Sequence, residues 1–136
     1  MGAGIAGLCA AAGTPVLLAD IDKSNSDKAL ERLQGGRRPV LTSEQAALIT
    51  TASASDELQA LGQCDWICEV IIEDLEAKRE LFSKLESVRK DGSIVTSNTS
   101  GIPLRDICEG MPERFKQDVA VTHFFNPVHI LSLIHI

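Results

Sequence analysis

Short apolar strand-like runs, separated by stretches of helical periodicity, constrain this chain more than any other feature. Val16-Leu17-Leu18-Ala19, opened by Pro15, has no polar alternation. A strand of that kind is expected to be buried on both faces, as in a parallel sheet. Trp66-Ile67-Cys68-Glu69-Val70-Ile71-Ile72 is the strongest strand signal, and Ile49 to Ala52 is a weaker one. The turn residues Asp91-Gly92 lead into Ser93-Ile94-Val95-Thr96, and Val119 to Thr122 forms the last run. Helical patterns fill the intervals. Gly4 to Ala12 is stopped by Gly13, Ser26 to Leu33 is stopped at Gly35-Gly36, and Thr42-Ser43-Glu44-Gln45 offers a capping box for a helix through Leu48. Leu75, Leu81, Phe82, Leu85 and Val88 mark one side of an amphipathic helix, with Glu and Lys opposite, and a short helix is expected near Leu104 to Cys108. Strands alternating with helices at this spacing predict an α/β fold with a parallel sheet.

Composition narrows the function classes. With 136 residues, 44% hydrophobic and 24% charged, the chain suits one folded domain. A net charge of −6, with no basic block longer than Arg37-Arg38, argues against a nucleic-acid surface. No apolar run is long enough to cross a bilayer, and Met1 to Ala12 lacks the basic flank of a signal peptide. A soluble, cytoplasmic protein is therefore expected. Cys9, Cys64, Cys68 and Cys108 are scattered, contain no C-x-x-C, and read as small buried hydrophobes in a reducing compartment; no metal site is expected.

In parallel α/β sheets, ligands bind at the carboxyl ends of the strands. Asp20, Glu73, Asn98, Ser100, His123 and Asn126 all fall there. Gly2-Ala3-Gly4-Ile5-Ala6-Gly7 matches G-x-G-x-x-G as a string, but such a motif must follow a strand, and only Met1 precedes it. A second register fits better. Met1-Gly2 become the last two residues of G-x-G-x-M-G, Gly2 serves close helix–strand packing, and Asp20 ends the second strand. An acid there accepts hydrogen bonds from the adenosine ribose and repels a 2′-phosphate, which favours NAD over NADP. A loop carboxylate that merely caps the next helix is the alternative for Asp20; Asp22 competes for the ribose role but lies past the strand end.

Three segments then converge: Glu69-Val70-Ile71-Ile72-Glu73-Asp74-Leu75-Glu76-Ala77-Lys78, Ser97-Asn98-Thr99-Ser100, and Thr122-His123-Phe124-Phe125-Asn126-Pro127-Val128. In this order and spacing they resemble the NAD-binding domain of the L-3-hydroxyacyl-CoA dehydrogenases of fatty-acid β-oxidation, over about residues 1 to 130. The resemblance implies a Rossmann-type doubly wound parallel sheet and oxidation of the 3-hydroxyl of an acyl-CoA, with NAD taking the hydride. It implies His123 as general base, Ser100 as hydrogen-bond partner of the substrate oxygen, and Asn126 as an aid to fixing the imidazole. Glu73, Lys78 and Asn98 match positions lining the nicotinamide and its ribose, and Val70 lends backbone to the cofactor. Each also has a plainer reading. Glu73 and Lys78 flank a helix start, where charge is common, and Asn98 and Ser100 suit loop backbone. Phe124 and Phe125 read as wall and core, and His129 has no matched role.

The chain also departs from that pattern. The family's carboxylate partner of the catalytic histidine falls twelve residues later, where this chain has His135. The last six residues, 131–136, match what the start of a transposase adapter used in sequencing libraries encodes, and are expected to be a non-native tail. The sheet is expected to be incomplete, lacking its first strand and phosphate turn. The family's helical second domain, which completes the acyl-CoA site and the homodimer interface, is expected to be absent, leaving a fragment poorly folded and inactive as written. Two other functions fit parts of the sequence. One is another NAD-dependent β-hydroxyacid dehydrogenase, which would carry a later catalytic lysine and lack His-Phe-Phe-Asn-Pro; the other is a non-catalytic NAD-binding or structural relative.

Overall fold

The computed structural model describes residues 1–35 and 40–128, and the backbone of 133–135. These fall into two compact units. One holds Met1–Leu58 and, later in the chain, 125–128; the other holds Gln59–Phe124 and 133–135.

The first unit opens with α1 (Gly2–Ala11), which closes in a Schellman motif. Gly13 takes φ +86°, its N–H reaches Ala10 O at 3.0 Å, and Thr14 N–H reaches Cys9 O at 3.0 Å. This is the helix stop that the sequence predicts at Gly13. Strand β1 (Val16–Asp20) pairs in parallel with β2 (Ile49–Ser53), from Val16 opposite Ile49 to Asp20 opposite Ser53. Helix α2 (Lys23–Gln34) lies between them in sequence and is capped by Asp22. The expected capping box is present: Thr42 and Gln45 satisfy each other's backbone N–H at the start of α3 (Ser43–Ala46). Ala6 and Ala10 of α1, Leu33 of α2, Leu41, Ala46 and Ile49 form the buried core. Gly7 lets α1 approach α2, since a Cβ there would stand 3.2 Å from Leu33 Cδ2. One expectation fails: β1 is half-buried through Ala19 and exposed at Asp20, rather than covered on both faces.

The second unit carries a sheet in the order β3 (Trp66–Glu69), β4 (Ile94–Ser97), β5 (Val119–Phe124) and β6 (Leu133–His135). The first three strands are parallel and β6 is antiparallel to β5. Helix α4 (Leu75–Val88), capped by Asp74, makes the β3-to-β4 crossover. Its Phe82 and Leu85 are fully buried, as are Val95, Ile107 of α5 (Leu104–Ile107) and Phe115 of α6 (Glu113–Gln117). The Phe82 and Phe115 rings meet edge to face at 5.5 Å. Arg89 lies over Phe115 and pairs with Glu86 and Asp118. Burying each of the apolar side chains among these contributes roughly 1.5–3 kcal/mol.

Several sequence expectations change here. The strand expected over Trp66–Ile72 stops at Glu69, because the Glu69 carboxylate accepts Ile71 N–H at 2.8 Å and turns the backbone out of the ladder. Lys78, assigned to the polar side of α4, is 1% exposed. Helix α6 and a 3-10 turn over Leu58–Gln63 carry no strong pattern and were not expected. Of the cysteines only Cys108 is buried; Cys9, Cys64 and Cys68 are half-buried, and none is in a disulfide. Burial pushes the Cys9, Cys64 and Cys108 thiols up. Backbone 133–135, within the expected tail, forms β6, with Thr122 opposite His135. Among the described residues β1 pairs only with β2, and β3 only with β4, at its free end of the sheet.

Candidate active site

In the first unit the structure bears on one of the two dinucleotide registers. Gly2, Gly4 and Gly7 all lie within α1, so the G-x-G-x-x-G string makes no strand-to-helix turn. No side chain caps the start of α1, and its first turn carries no acid. Asp22 accepts Ser24 N–H at 2.8 Å, and that bond holds its carboxyl below the usual range. The capping role is thus filled, leaving Asp20 exposed at the carboxyl end of β1 with Asn25 Nδ2 donating to it at 3.0 Å. An exposed carboxylate at the carboxyl end of a strand fits the adenosine half of NAD. Asn126 also belongs to this unit, joined to Pro127 by a cis bond.

In the second unit, register decides what shares a face. Glu69 stands opposite Ser97, and Ser97 opposite Val121, so these side chains project from one face of the sheet. His123 lies two residues beyond Val121 and therefore projects to the same side. Ser100, three residues past Ser97 in the loop after β4, comes to His123: Oγ and Nε2 are 2.9 Å apart, with the direction of donation set by the imidazole tautomer. Both residues are accessible, as a group that must meet a substrate has to be.

The loop that carries Ser100 is held by two anchors. Asn98 Oδ1 accepts the backbone N–H of Phe124 at 2.7 Å, next to His123. Glu73 Oε1 accepts Thr99 Oγ1–H at 2.7 Å, Ser100 N–H at 2.8 Å and Gly101 N–H at 3.0 Å. Lys78 Nζ lies 3.4 Å from Glu73 Oε2. Burial works to raise the Glu73 carboxyl, but the bonds from Thr99, Gly101, Ser100 and Lys78 outweigh it and hold the group at about 2. Glu73 is therefore ionised at neutral pH.

Behind this lies a group that sequence reasoning passed over. Glu69, 3% exposed, takes Lys78 Nζ at 2.7 Å on Oε1 and the Ser97 hydroxyl on Oε2. Its signal was an acid inside an otherwise apolar strand. Lys78 is thus spent on two carboxylates, and Val70 lies half-buried just past the end of β3. The predicted residues Glu73, Lys78, Asn98, Ser100 and His123 all converge in this unit. Gly2, Asp20 and Asn126 belong to the other.

Parallel strands, their crossover helix and polar residues gathered at the carboxyl ends define a Rossmann-type nucleotide-binding domain. The family model for the NAD-binding domain of 3-hydroxyacyl-CoA dehydrogenase matches residues 1–136, and the chain belongs to that family. NAD is the cofactor of the family. The chain is similar over its whole length to two bacterial proteins named "Probable 3-hydroxyacyl-CoA dehydrogenase". It is 40% identical to that of Deinococcus radiodurans, spanning 42% of it, and 37% identical to that of Bacillus subtilis, spanning 20% of it. The crystal structure of 3-hydroxybutyryl-CoA dehydrogenase from Escherichia coli K12 superposes on 96% of the chain with a TM-score of 0.79 at 31% identity, and 29% of that chain is covered. The chain thus spans less than half the length of these relatives.

Proposed function

We propose that this chain is the cofactor-binding part of an enzyme that oxidises the 3-hydroxyl of an L-3-hydroxyacyl-CoA to the 3-ketone in fatty-acid β-oxidation. The observation that carries the reading is the Ser100 Oγ to His123 Nε2 distance of 2.9 Å at the carboxyl end of the sheet. A substrate hydroxyl placed alongside this pair, within reach of both, meets a hydrogen-bond donor and a base at once. His123 Nε2 takes the hydroxyl proton, the imidazole nitrogen being the base within hydrogen-bond reach. Ser100 Oγ–H donates to the same oxygen and fixes its direction toward the imidazole. NAD, when bound, supplies the acceptor for the hydride that leaves C3. Asp20 and Gly2 serve its adenosine end, and Val70, Glu73 and Asn98 its nicotinamide end, with the buried Lys78 contributing there only through its pairing with Glu73. Asn126 helps to orient the reacting groups.

The domain assignment belongs to the same reading: residues 1–130 form an NAD-binding domain, and a helical domain of the longer enzyme completes the acyl-CoA site and a homodimer interface. The greater length of the relatives supports this. Among the described residues no helix is long and apolar enough to cross a membrane, and the proposed location is cytoplasmic. The test is NADH-dependent reduction of acetoacetyl-CoA by the complete enzyme carrying this domain. Ser100→Ala is expected to lower kcat at least tenfold with NADH affinity unchanged; equal turnover by the variant would remove Ser100 from the reaction.

A further inference from the structure

We propose that Glu69 is a positioning residue for the Ser100–His123 pair, acting from the buried end of β3 through Ser97 and Lys78. The inference rests on that pair facing the substrate.

Two paths lead from the Glu69 carboxylate to the loop. In the first, Ser97 Oγ–H donates to Glu69 Oε2 and the same oxygen of Ser97 accepts Thr99 N–H at 3.3 Å, one residue before Ser100. By accepting the Ser97 hydroxyl hydrogen, Glu69 orients the hydroxyl so that its oxygen faces Thr99 N–H. In the second, Lys78 Nζ is shared between Glu69 Oε1 at 2.7 Å and Glu73 Oε2 at 3.4 Å. The shorter contact keeps the ammonium on the Glu69 side. Glu73 Oε1 then remains available to Thr99, Ser100 and Gly101. A third bond, from Ile71 N–H to Glu69 Oε1 at 2.8 Å, turns the chain after β3 and delivers Glu73 to the loop. Asn98 N–H also donates to the backbone carbonyl of Glu69 at 2.8 Å, so both loops leave the sheet from one residue.

A neutral amide of the same size separates positioning from packing. Glu69→Gln keeps the volume and the acceptor for Ile71 N–H but removes the charge. Lys78 is then drawn to its remaining carboxylate, Glu73, and competes with the loop amides.

The experiment is hydrogen exchange by NMR on the complete enzyme carrying this domain. Glu69→Gln is expected to speed exchange at the Ser100 and Gly101 amides about tenfold, the loss of roughly one hydrogen bond. Val95, in the middle of the sheet, is expected to be unchanged. Faster exchange at all sites in proportion, or none at Ser100 and Gly101, would overturn the proposal and leave Glu69 a packing residue. If the amide variant fails to fold, Glu69→Leu with Lys78→Met replaces the ion pair by apolar groups. That variant is expected to retain the core but not the Ser100 protection; full protection of Ser100 in it would also overturn the proposal. No readout here requires turnover. Failure of the catalytic reading, seen as an inert Ser100→Ala effect in the assay above, is therefore distinguishable from failure of this one.

Discussion

Asn98 Oδ1 accepts the backbone N–H of Phe124 at 2.7 Å, so the loop after β4 is pinned to the residue that follows His123. The imidazole and Ser100 consequently share one support. Asn98→Ala leaves that part-buried N–H unpaired, at a cost of about 1–3 kcal/mol. Denaturant titration should show this loss, and kcat should fall more than KM rises. An unchanged midpoint would show that water replaces Asn98.

Glu73 gives the loop a pH dependence of known sign. Its carboxyl is depressed from 4.5 to about 2 by donors from the loop and Lys78, working against burial. A depressed carboxyl contributes stability that is complete above the unfolded value and is lost as pH falls through the folded one. The stability that Glu73 lends should therefore be complete above about pH 4.5 and be lost as pH falls toward about 2, and the Ser100 and Gly101 amide shifts of the folded protein should titrate around that lower value. Glu73→Gln should abolish that titration, as followed by NMR. Persistence of the titration in the variant would assign it to another group.

Asp20 is exposed and free of the helix-capping role that Asp22 fills. Asp20→Ala should weaken NADH binding about tenfold, as loss of a charged hydrogen-bond acceptor does. It should also narrow the preference over NADPH. Fluorescence titration with both cofactors measures this, and an unaltered ratio would count against the ribose role.

Gly62 has no room for a side chain. A Cβ there would lie 2.5 Å from the backbone oxygen of Val88. Gly62→Ala should cost about 1–3 kcal/mol through overpacking, read as a lower melting temperature with no change in the ratio of kcat to KM beyond that of the folded fraction.

The fold class and most of the site could be read from the residues because their signals are local. The Schellman stop at Gly13, the capping box at Thr42 and the stripe of Phe82 and Leu85 each depend on neighbours within one turn. Ser100 and His123 were legible because motif and strand end coincide. What escaped depends on distant partners. Lys78 falls in step with Leu75, Phe82 and Leu85 on the apolar side of α4, yet its type reads as surface. Only Glu69, nine residues earlier and on another element, explains its burial. The same carboxylate ends β3 early by capturing Ile71 N–H, a side-chain event that hydrophobic periodicity does not register. Helix α6 is short and held by Phe115, a single residue in the core.

The central claim is that His123 is the base, and its removal tests that most directly. In the complete enzyme, His123→Gln should lower the rate of NADH-dependent acetoacetyl-CoA reduction by about 10²–10⁴-fold, the usual worth of a positioned acid–base group. NADH affinity should stay unchanged. A variant that reduces the substrate at the parent rate, with the same pH profile, would contradict the account.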